Sequence, residues 1–133
     1  MSLDPEKALS VSVTEYDAQS LSVGIVHIGL GAFVRAHCAV YLEKLLNIGA
    51  AKYGMCAANI RSNASIVDTL TQQGGRYTVA EYASDGSIRL RQVSSIREAI
   101  FAGGERVAEL LERLKDPAIA IVSLTVTEKG YCY

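Results

Sequence analysis

The sequence predicts an α/β fold built on a parallel sheet, and three observations support that prediction. Short β-branched apolar runs alternate with longer stretches of helical periodicity. Glycines or a proline interrupt the chain where most of these elements should end. Asp85-Gly86 separates two further extended runs, which is typical of a β-hairpin. We therefore expect parallel strands joined by right-handed crossovers, with flanking helices and an inserted hairpin.

The first core strand is predicted at residues 23–28, a β-branched run that begins next to the first internal glycine. Glycines at 29 and 31 should end it, and a long helix should follow over residues 33–48. On a helical wheel, the apolar face of this helix holds Val34, Cys38, Tyr41, Leu42 and Leu45, and the solvent face holds His37, Glu43, Lys44 and Asn47.

The remaining elements continue the alternation. A second core strand is predicted at residues 53–60, and a helix that Ser62 caps should run to about residue 73. The hairpin strands are predicted at Tyr77–Tyr82 and Ile88–Val93, and a third core strand near residues 93–96. A helix over residues 105–115 and a strand over residues 118–124 complete the pattern. Residues 1–22 are expected to form an N-terminal arm, and residues 23–133 the first part of an incomplete doubly wound domain.

Composition excludes several classes of function. Acidic and basic residues nearly cancel, with a net charge of −1, which does not favour nucleic-acid binding. No apolar run reaches the roughly 18 residues of a membrane helix, and the N-terminus lacks the pattern of a secretory signal. The three cysteines form no Cys-x-x-Cys pair, so neither a metal site nor a disulfide is expected, and the cytoplasm is the expected compartment.

The turn between the first strand and the first helix is the candidate binding site. Gly29 should allow a tight turn, and Gly31 should let a pyrophosphate approach the backbone, as in Rossmann-like dinucleotide-binding folds. Val34 stands where the usual third glycine would be. The alternative is a glycine turn without a ligand, but a buried strand before it and a long helix after it favour a nucleotide.

Side chains near this turn and after the second strand are further candidates. Arg35 should lie at the edge of the buried helix face and reach the phosphates, or lie with a solvated head along the sheet edge. His37 is interpreted as a surface histidine. At the end of the second strand no acid is present, but Asn59 can bind a ribose hydroxyl, and Arg61 can stack on adenine or pair with a 2′-phosphate.

The segment after the last strand is expected to face the same ligand. Thr125, Thr127 and Glu128 follow residues 118–124, and ligands of open α/β sheets bind beyond the carboxyl ends of the strands. Their hydroxyls and carboxylate suit a nicotinamide ribose or a polar substrate. A solvated loop would have the same polar composition and is the alternative.

Four motifs together resemble the mannitol dehydrogenase family, the polyol-specific long-chain dehydrogenases. They are Gly-x-Gly-x-Phe-x-Arg-Ala-His from Gly29, Asn59-Ile60-Arg61, residues 77–81 and residues 121–132. The resemblance extends from about Val23 to the end, and its closing motif is most similar to the fructuronate reductase (mannonate oxidoreductase) branch. Val34 and Cys38 depart from it, since the family usually has His and Gln there.

The resemblance implies the NAD(H)-binding part of an oxidoreductase that interconverts a secondary alcohol and a ketone. Fructuronate and mannonate are the preferred pair, and mannitol and fructose come next. Gly29, Gly31 and Phe33 would shape the pyrophosphate turn. The family's catalytic Lys-x4-Asn-x3-His set lies in a helical C-terminal domain, and that spacing is absent from these 133 residues. The chain would then be an inactive N-terminal fragment. The alternative is a non-catalytic nucleotide-binding or assembly module.

Overall fold

The computed structural model describes residues 9–127, and within them the chain forms two sheets with helices packed beside them. The strands are Leu9–Ser12 (β1), Ser22–Ile28 (β2), Tyr53–Asn59 (β3), Tyr77–Tyr82 (β4), Ile88–Val93 (β5), Ile96–Phe101 (β6) and Ile121–Leu124 (β7). The helices are Ala32–Ala36 (α1), Cys38–Asn47 (α2), Ala64–Gln72 (α3) and Val107–Lys115 (α4), with short 3-10 helices at Ala18–Ser20 and Gly104–Arg106.

The core sheet is parallel, in the order β6-β3-β2-β7, as the alternating pattern predicts. Along β3, Met55 and Ala57 belong to one apolar cluster, and Cys56 and Ala58 to another. Because neighbouring residues of a strand point to opposite faces, the two clusters cover the two faces of the sheet. Side chains of α2 and α3 belong to the first cluster, and Leu110 of α4 belongs to the second.

The connection from β6 to β7 reverses the direction in which strands are added. The chain first moves outward from β2 through β3 to β6, and then returns through α4 to the other side of β2. In open α/β sheets, ligands bind outside the carboxyl ends of the strands at such a reversal. The topology therefore directs attention to the ends of β2 and β7.

The helix predicted over residues 33–48 is two helices, and the predicted wheel is wrong after the break. His37 has φ −124° and ψ −80°, which is not helical, so the faces of α2 are rotated relative to those of α1. Glu43, placed on the solvent face by the wheel, is fully buried, whereas Cys38 and Tyr41 are exposed. The Glu43 Oε1 atom accepts hydrogen bonds from the Ser94 N–H at 2.6 Å and the Thr14 hydroxyl at 2.9 Å.

The second sheet has the order β1-β5-β4. The hairpin strands β4 and β5 are confirmed with their predicted bounds, and β5 also pairs in parallel with β1 from the N-terminal arm. The third core strand was predicted too early, since β6 begins at Ile96 and ends at Phe101. Ser94 and Ser95 are instead the buried link between the sheets. Within residues 9–127, no helix is long and apolar enough to cross a membrane.

Candidate nucleotide-binding site

Hydrogen bonds between neighbouring strand ends bring four loops together at one edge of the core sheet. The Gly29 N–H donates to the Ala58 carbonyl at 2.7 Å, and the Thr125 N–H donates to the Ile28 carbonyl at 3.0 Å. The Ala102 N–H donates to the Asn59 carbonyl at 2.8 Å. The segments that follow β2, β3, β6 and β7 therefore line one continuous edge, at the carboxyl ends of the strands.

The two glycines of the turn after β2 are present for different physical reasons. Gly29 has φ +113°, and a Cβ atom there would lie 3.1 Å from the Thr125 Cβ, so the fold itself requires glycine. Gly31 is extended, with φ −136° and ψ −165°, a conformation open to any residue. A Cβ atom at Gly31 would meet no other described atom within 4 Å. Its missing side chain leaves space on the outside of the turn, where a ligand can approach the backbone.

Arg35 lies beside this space. Its Nε atom donates to the Gly31 carbonyl at 3.0 Å, which folds the side chain back over the first turn of α1. The Arg35 carbonyl accepts a hydrogen bond from the Tyr77 hydroxyl at 2.7 Å, and burial raises the pKa of Tyr77 above its usual range. Phe33 is exposed, with its ring centroid 4.9 Å from that of His37. The turn thus combines uncapped N–H groups at a helix start with a guanidinium group.

The Asn59 side chain is hydrogen-bonded within the protein. Its side chain is 8% exposed, and its oxygen accepts from the Leu30 N–H at 2.7 Å. Its amide nitrogen donates to the carbonyls of Leu30 at 3.1 Å and Asn63 at 3.3 Å. Both amide hydrogens are therefore used within the protein. Asn59 joins the glycine turn to the loop after β3, and its donors are not free for a ribose hydroxyl.

We expect Asn59→Asp to destabilise the chain. The carboxylate keeps the acceptor for the Leu30 N–H, but it loses both donors and faces two carbonyl oxygens. Leaving buried polar groups unpaired costs about 1–3 kcal/mol each, and urea denaturation would measure the loss. Asn47→Asp is the matched control, because the Asn47 oxygen only accepts a bond, from the Glu15 N–H at 2.8 Å. An equal free energy of unfolding for the two variants would contradict this role of Asn59.

A buried histidine connects the ends of β2 and β7. His27 is 3% exposed, its Nδ1 atom lies 2.7 Å from the Ser123 Oγ, and its Nε2 atom lies 2.8 Å from the Thr125 Oγ1. Burial lowers the pKa of His27. The Thr125 hydroxyl therefore faces His27, whereas Thr127 is exposed. The predicted site residue Glu128 lies outside the described residues.

The loops after β3 and β6 form the other half of the site. Arg61 is exposed after β3, and a Cβ atom at Gly103, after β6, would lie 3.4 Å from the Ile60 carbonyl oxygen. The guanidinium carbon of Arg106 lies 6.0 Å from the centroid of the Phe101 ring. The sequence analysis named Arg61 as a candidate but did not name Arg106 or His27. A correct prediction of the end of β6 would have drawn attention to Arg106. The sign of His27 in the sequence was a polar residue within a strand predicted to be buried.

The two cysteines within residues 9–127 have different surroundings. Cys38 is exposed at the start of α2. Cys56 is buried under α4, where burial raises the pKa of its thiol to about 12. Among residues 9–127, no group of three or more His, Cys, Asp or Glu side chains could hold a metal ion.

A parallel sheet with a glycine turn at its point of strand reversal defines a Rossmann-type α/β fold. Residues 23–133 match the mannitol dehydrogenase Rossmann domain, and the chain belongs to that family. It is 40% identical over 126 residues to mannitol 2-dehydrogenase of Pyricularia oryzae, covering 93% of this chain and 25% of that protein. It is 38% identical over 126 residues to D-mannonate oxidoreductase of Escherichia coli, covering 93% and 26%.

A solved structure of the family has the same fold. Mannitol 2-dehydrogenase of Pseudomonas fluorescens, in a ternary complex with NAD and D-mannitol, superposes with a TM-score of 0.81 at 35% identity. The match covers 98% of this chain and 26% of that one. The chain therefore spans about a quarter of the length of the relatives it matches.

Proposed function

We propose that this chain is the NAD(H)-binding part of a longer dehydrogenase that interconverts a secondary alcohol and a ketone on an open-chain polyol or sugar acid. The observation that carries the proposal is the open space at Gly31, because neither backbone conformation nor packing among the described residues requires glycine there. Relatives named as mannitol 2-dehydrogenase and D-mannonate oxidoreductase support the same reaction class.

The glycine turn is the proposed pyrophosphate site. The residues present fit this group, since Gly29 and Gly31 open the turn and the first N–H groups of α1, including that of Phe33, have no partner within the helix. Arg35 adds a positive charge that its bond to the Gly31 carbonyl holds beside the same turn. Asn59 keeps the turn in place from below and is proposed as a positioning residue.

We assign the adenosine end of the cofactor to one side of the glycine turn and the nicotinamide end to the other. Arg61 and Arg106 flank the loops after β3 and β6, where the adenosine should lie, and Arg61 is proposed to stack on adenine. Thr125 and Thr127, which follow β7, are proposed to lie on the nicotinamide side, and Glu128, the next residue after Thr127 in the sequence, is proposed for the same role. The bound cofactor would accept or donate the hydride, while this chain fixes the position of the nicotinamide relative to the substrate.

The substrate and compartment are finer proposals. We infer fructuronate and mannonate as the preferred pair, with mannitol and fructose next, because the motif over residues 121–132 is most similar to the fructuronate reductase branch. A lysine from a further, helical domain would transfer the proton. Free thiols at Cys38 and Cys56 support a cytoplasmic protein.

We expect a modest preference for NADH over NADPH, below about tenfold, which corresponds to about 1.4 kcal/mol. No carboxylate at residues 60–63 repels a 2′-phosphate, but strong phosphate binding usually combines several donors on one group. Arg61→Asp should widen the preference, because a carboxylate would bind the ribose hydroxyls and repel the phosphate. Catalytic efficiency with each cofactor in the longer protein measures both effects.

Arg76→Asp is the control for this comparison. Arg76 is exposed and follows Gly75, which packs against the Ile96 carbonyl at the opposite, amino-terminal end of β6. Arg76→Asp changes the charge by the same amount as Arg61→Asp but away from the proposed site. The ratio of the catalytic efficiencies with NADH and NADPH should therefore stay at the wild-type value. A tenfold preference for NADPH in the wild type would mean that Arg61 recognises the phosphate.

A further inference from the structure

We propose that the hydrogen bond between His27 and Thr125 forms a latch that holds the segment after β7 against the glycine turn and so sets the position of the nicotinamide half of the cofactor, while Ser123 only pairs the other ring nitrogen of His27. The inference rests on the proposed function and adds a positioning residue, His27, which the sequence analysis did not include in the site. His27 acts through Thr125, since a side chain that is 3% exposed is not available to a substrate.

The latch follows from the register of two parallel strands. His27 is paired with Ser123 between β2 and β7, and Thr125 lies two residues further along the same face as Ser123. The imidazole can therefore reach both hydroxyls, at 2.7 and 2.8 Å. A neutral imidazole donates one hydrogen bond and accepts one, so the two hydroxyls satisfy both nitrogen atoms. Because burial lowers the pKa of His27, the ring is neutral at pH 7.

Thr125 connects this histidine to the cofactor turn. Its Cβ would be 3.1 Å from a Cβ at Gly29, so its side chain packs directly against the backbone of the turn. The last paired residues of β2 and β7 are Ile28 and Leu124. Directly after them, the Thr125 N–H donates to the Ile28 carbonyl at 3.0 Å. The latch thus lies where the chain leaves the sheet, at the start of the segment assigned to the nicotinamide.

Two ligands separate a positioning role from a merely structural one. ADP has the adenosine and pyrophosphate of NADH but lacks both the second ribose and the nicotinamide. In the longer protein that carries this chain, Thr125→Val should raise the Kd for NADH about fivefold, the effect of one neutral hydrogen bond. The Kd for ADP should change less than about twofold, which is under 0.5 kcal/mol. Thr125→Ser restores the hydroxyl and should return the NADH value to that of the wild type.

Ser123→Ala is the matched control. It removes the other hydroxyl bonded to His27 but leaves Thr125 in place against Gly29, so it should lower thermal stability without changing the ratio of the two Kd values. His27→Phe is the second variant, since it keeps an aromatic ring in the buried site and removes both nitrogen atoms. It should weaken NADH selectively, as Thr125→Val does.

The outcomes distinguish the latch from the proposed function. Selective weakening of NADH by both Thr125→Val and folded His27→Phe, absent from Ser123→Ala, supports the latch, whereas weakening by Thr125→Val alone overturns it. Equal weakening of both ligands, or no change in either, overturns it while the proposed function stands. Failure of the wild-type protein to bind either ligand overturns the proposed function, and the latch with it.

Discussion

The purified 133-residue chain is expected to show no turnover of fructuronate, mannonate or mannitol with a nicotinamide cofactor. Its sequence contains no Lys-x4-Asn-x3-His spacing, the proton-transfer set that the family resemblance implies. His27 lies at the edge where the cofactor should bind, but it is buried and hydrogen-bonded at both ring nitrogen atoms, so it is not available to transfer a proton to a substrate. General acid–base catalysis contributes about 10²–10⁴-fold, and the substrate-binding surface would also be missing. NADH absorbance is the measurement.

The control is the same assay on a longer protein, in which this chain is followed by a helical domain that contains the Lys-x4-Asn-x3-His spacing. Turnover should appear there. Clear turnover by the chain alone would mean that the catalytic groups lie within it and that the domain assignment is wrong. A longer protein that binds NADH but turns over no polyol or sugar acid would instead favour a non-catalytic nucleotide-binding module.

Secondary-structure elements that are determined by residues close to one another in the sequence were predictable. The strands at β2 and β3 are short, mostly apolar runs, and their length and the β-branched residues and glycines in or beside them favour buried parallel strands. The hairpin was predicted to the residue at both strands because Asp85-Gly86 fixes a turn between two extended runs. The glycine turn was likewise found from a local pattern, a buried strand followed by Gly29 and Gly31.

Features that depend on distant partners were not predictable. The burial of Glu43 follows from the backbone angles of His37 and from partners at Thr14 and Ser94, which lie 29 and 51 residues away. No wheel drawn on a continuous helix contains that information. The start of β6 was misplaced for a similar reason, since Ser94 and Ser95 are polar residues that only tertiary packing buries.

The same distinction applies within the site. Asn59 was found because it ends a strand, but its task depends on Leu30, 29 residues earlier, and on Asn63. His27 was overlooked because its partners Ser123 and Thr125 are 96 and 98 residues away and become neighbours only when β7 pairs with β2. Arg106 could be identified only once the end of β6 was known. Sequence patterns thus located the turn, whereas the side chains that hold it required the topology.

Gly31→Val is expected to abolish tight cofactor binding while leaving the fold intact. The extended backbone at Gly31 can hold a β-branched residue and its side chain would enter empty space, so the free energy of unfolding should fall by no more than about 1 kcal/mol, the cost of a poorer N-cap for α1. The same side chain would fill the place assigned to the pyrophosphate. We expect the Kd for NADH to rise about a hundredfold, which corresponds to about 2.7 kcal/mol. Ala36→Val, at an exposed position of α1, is the control and should bind NADH normally.

Calorimetric titration of NADH into the Gly31→Val form of the longer protein is the most direct test of the central claim, that the turn after β2 holds the cofactor. Thermal unfolding of the same sample establishes that the variant is folded. The account predicts a hundredfold weaker Kd in a variant that is still folded. A folded variant that binds NADH with the wild-type Kd would contradict it, because the nucleotide would then have to bind away from Gly31.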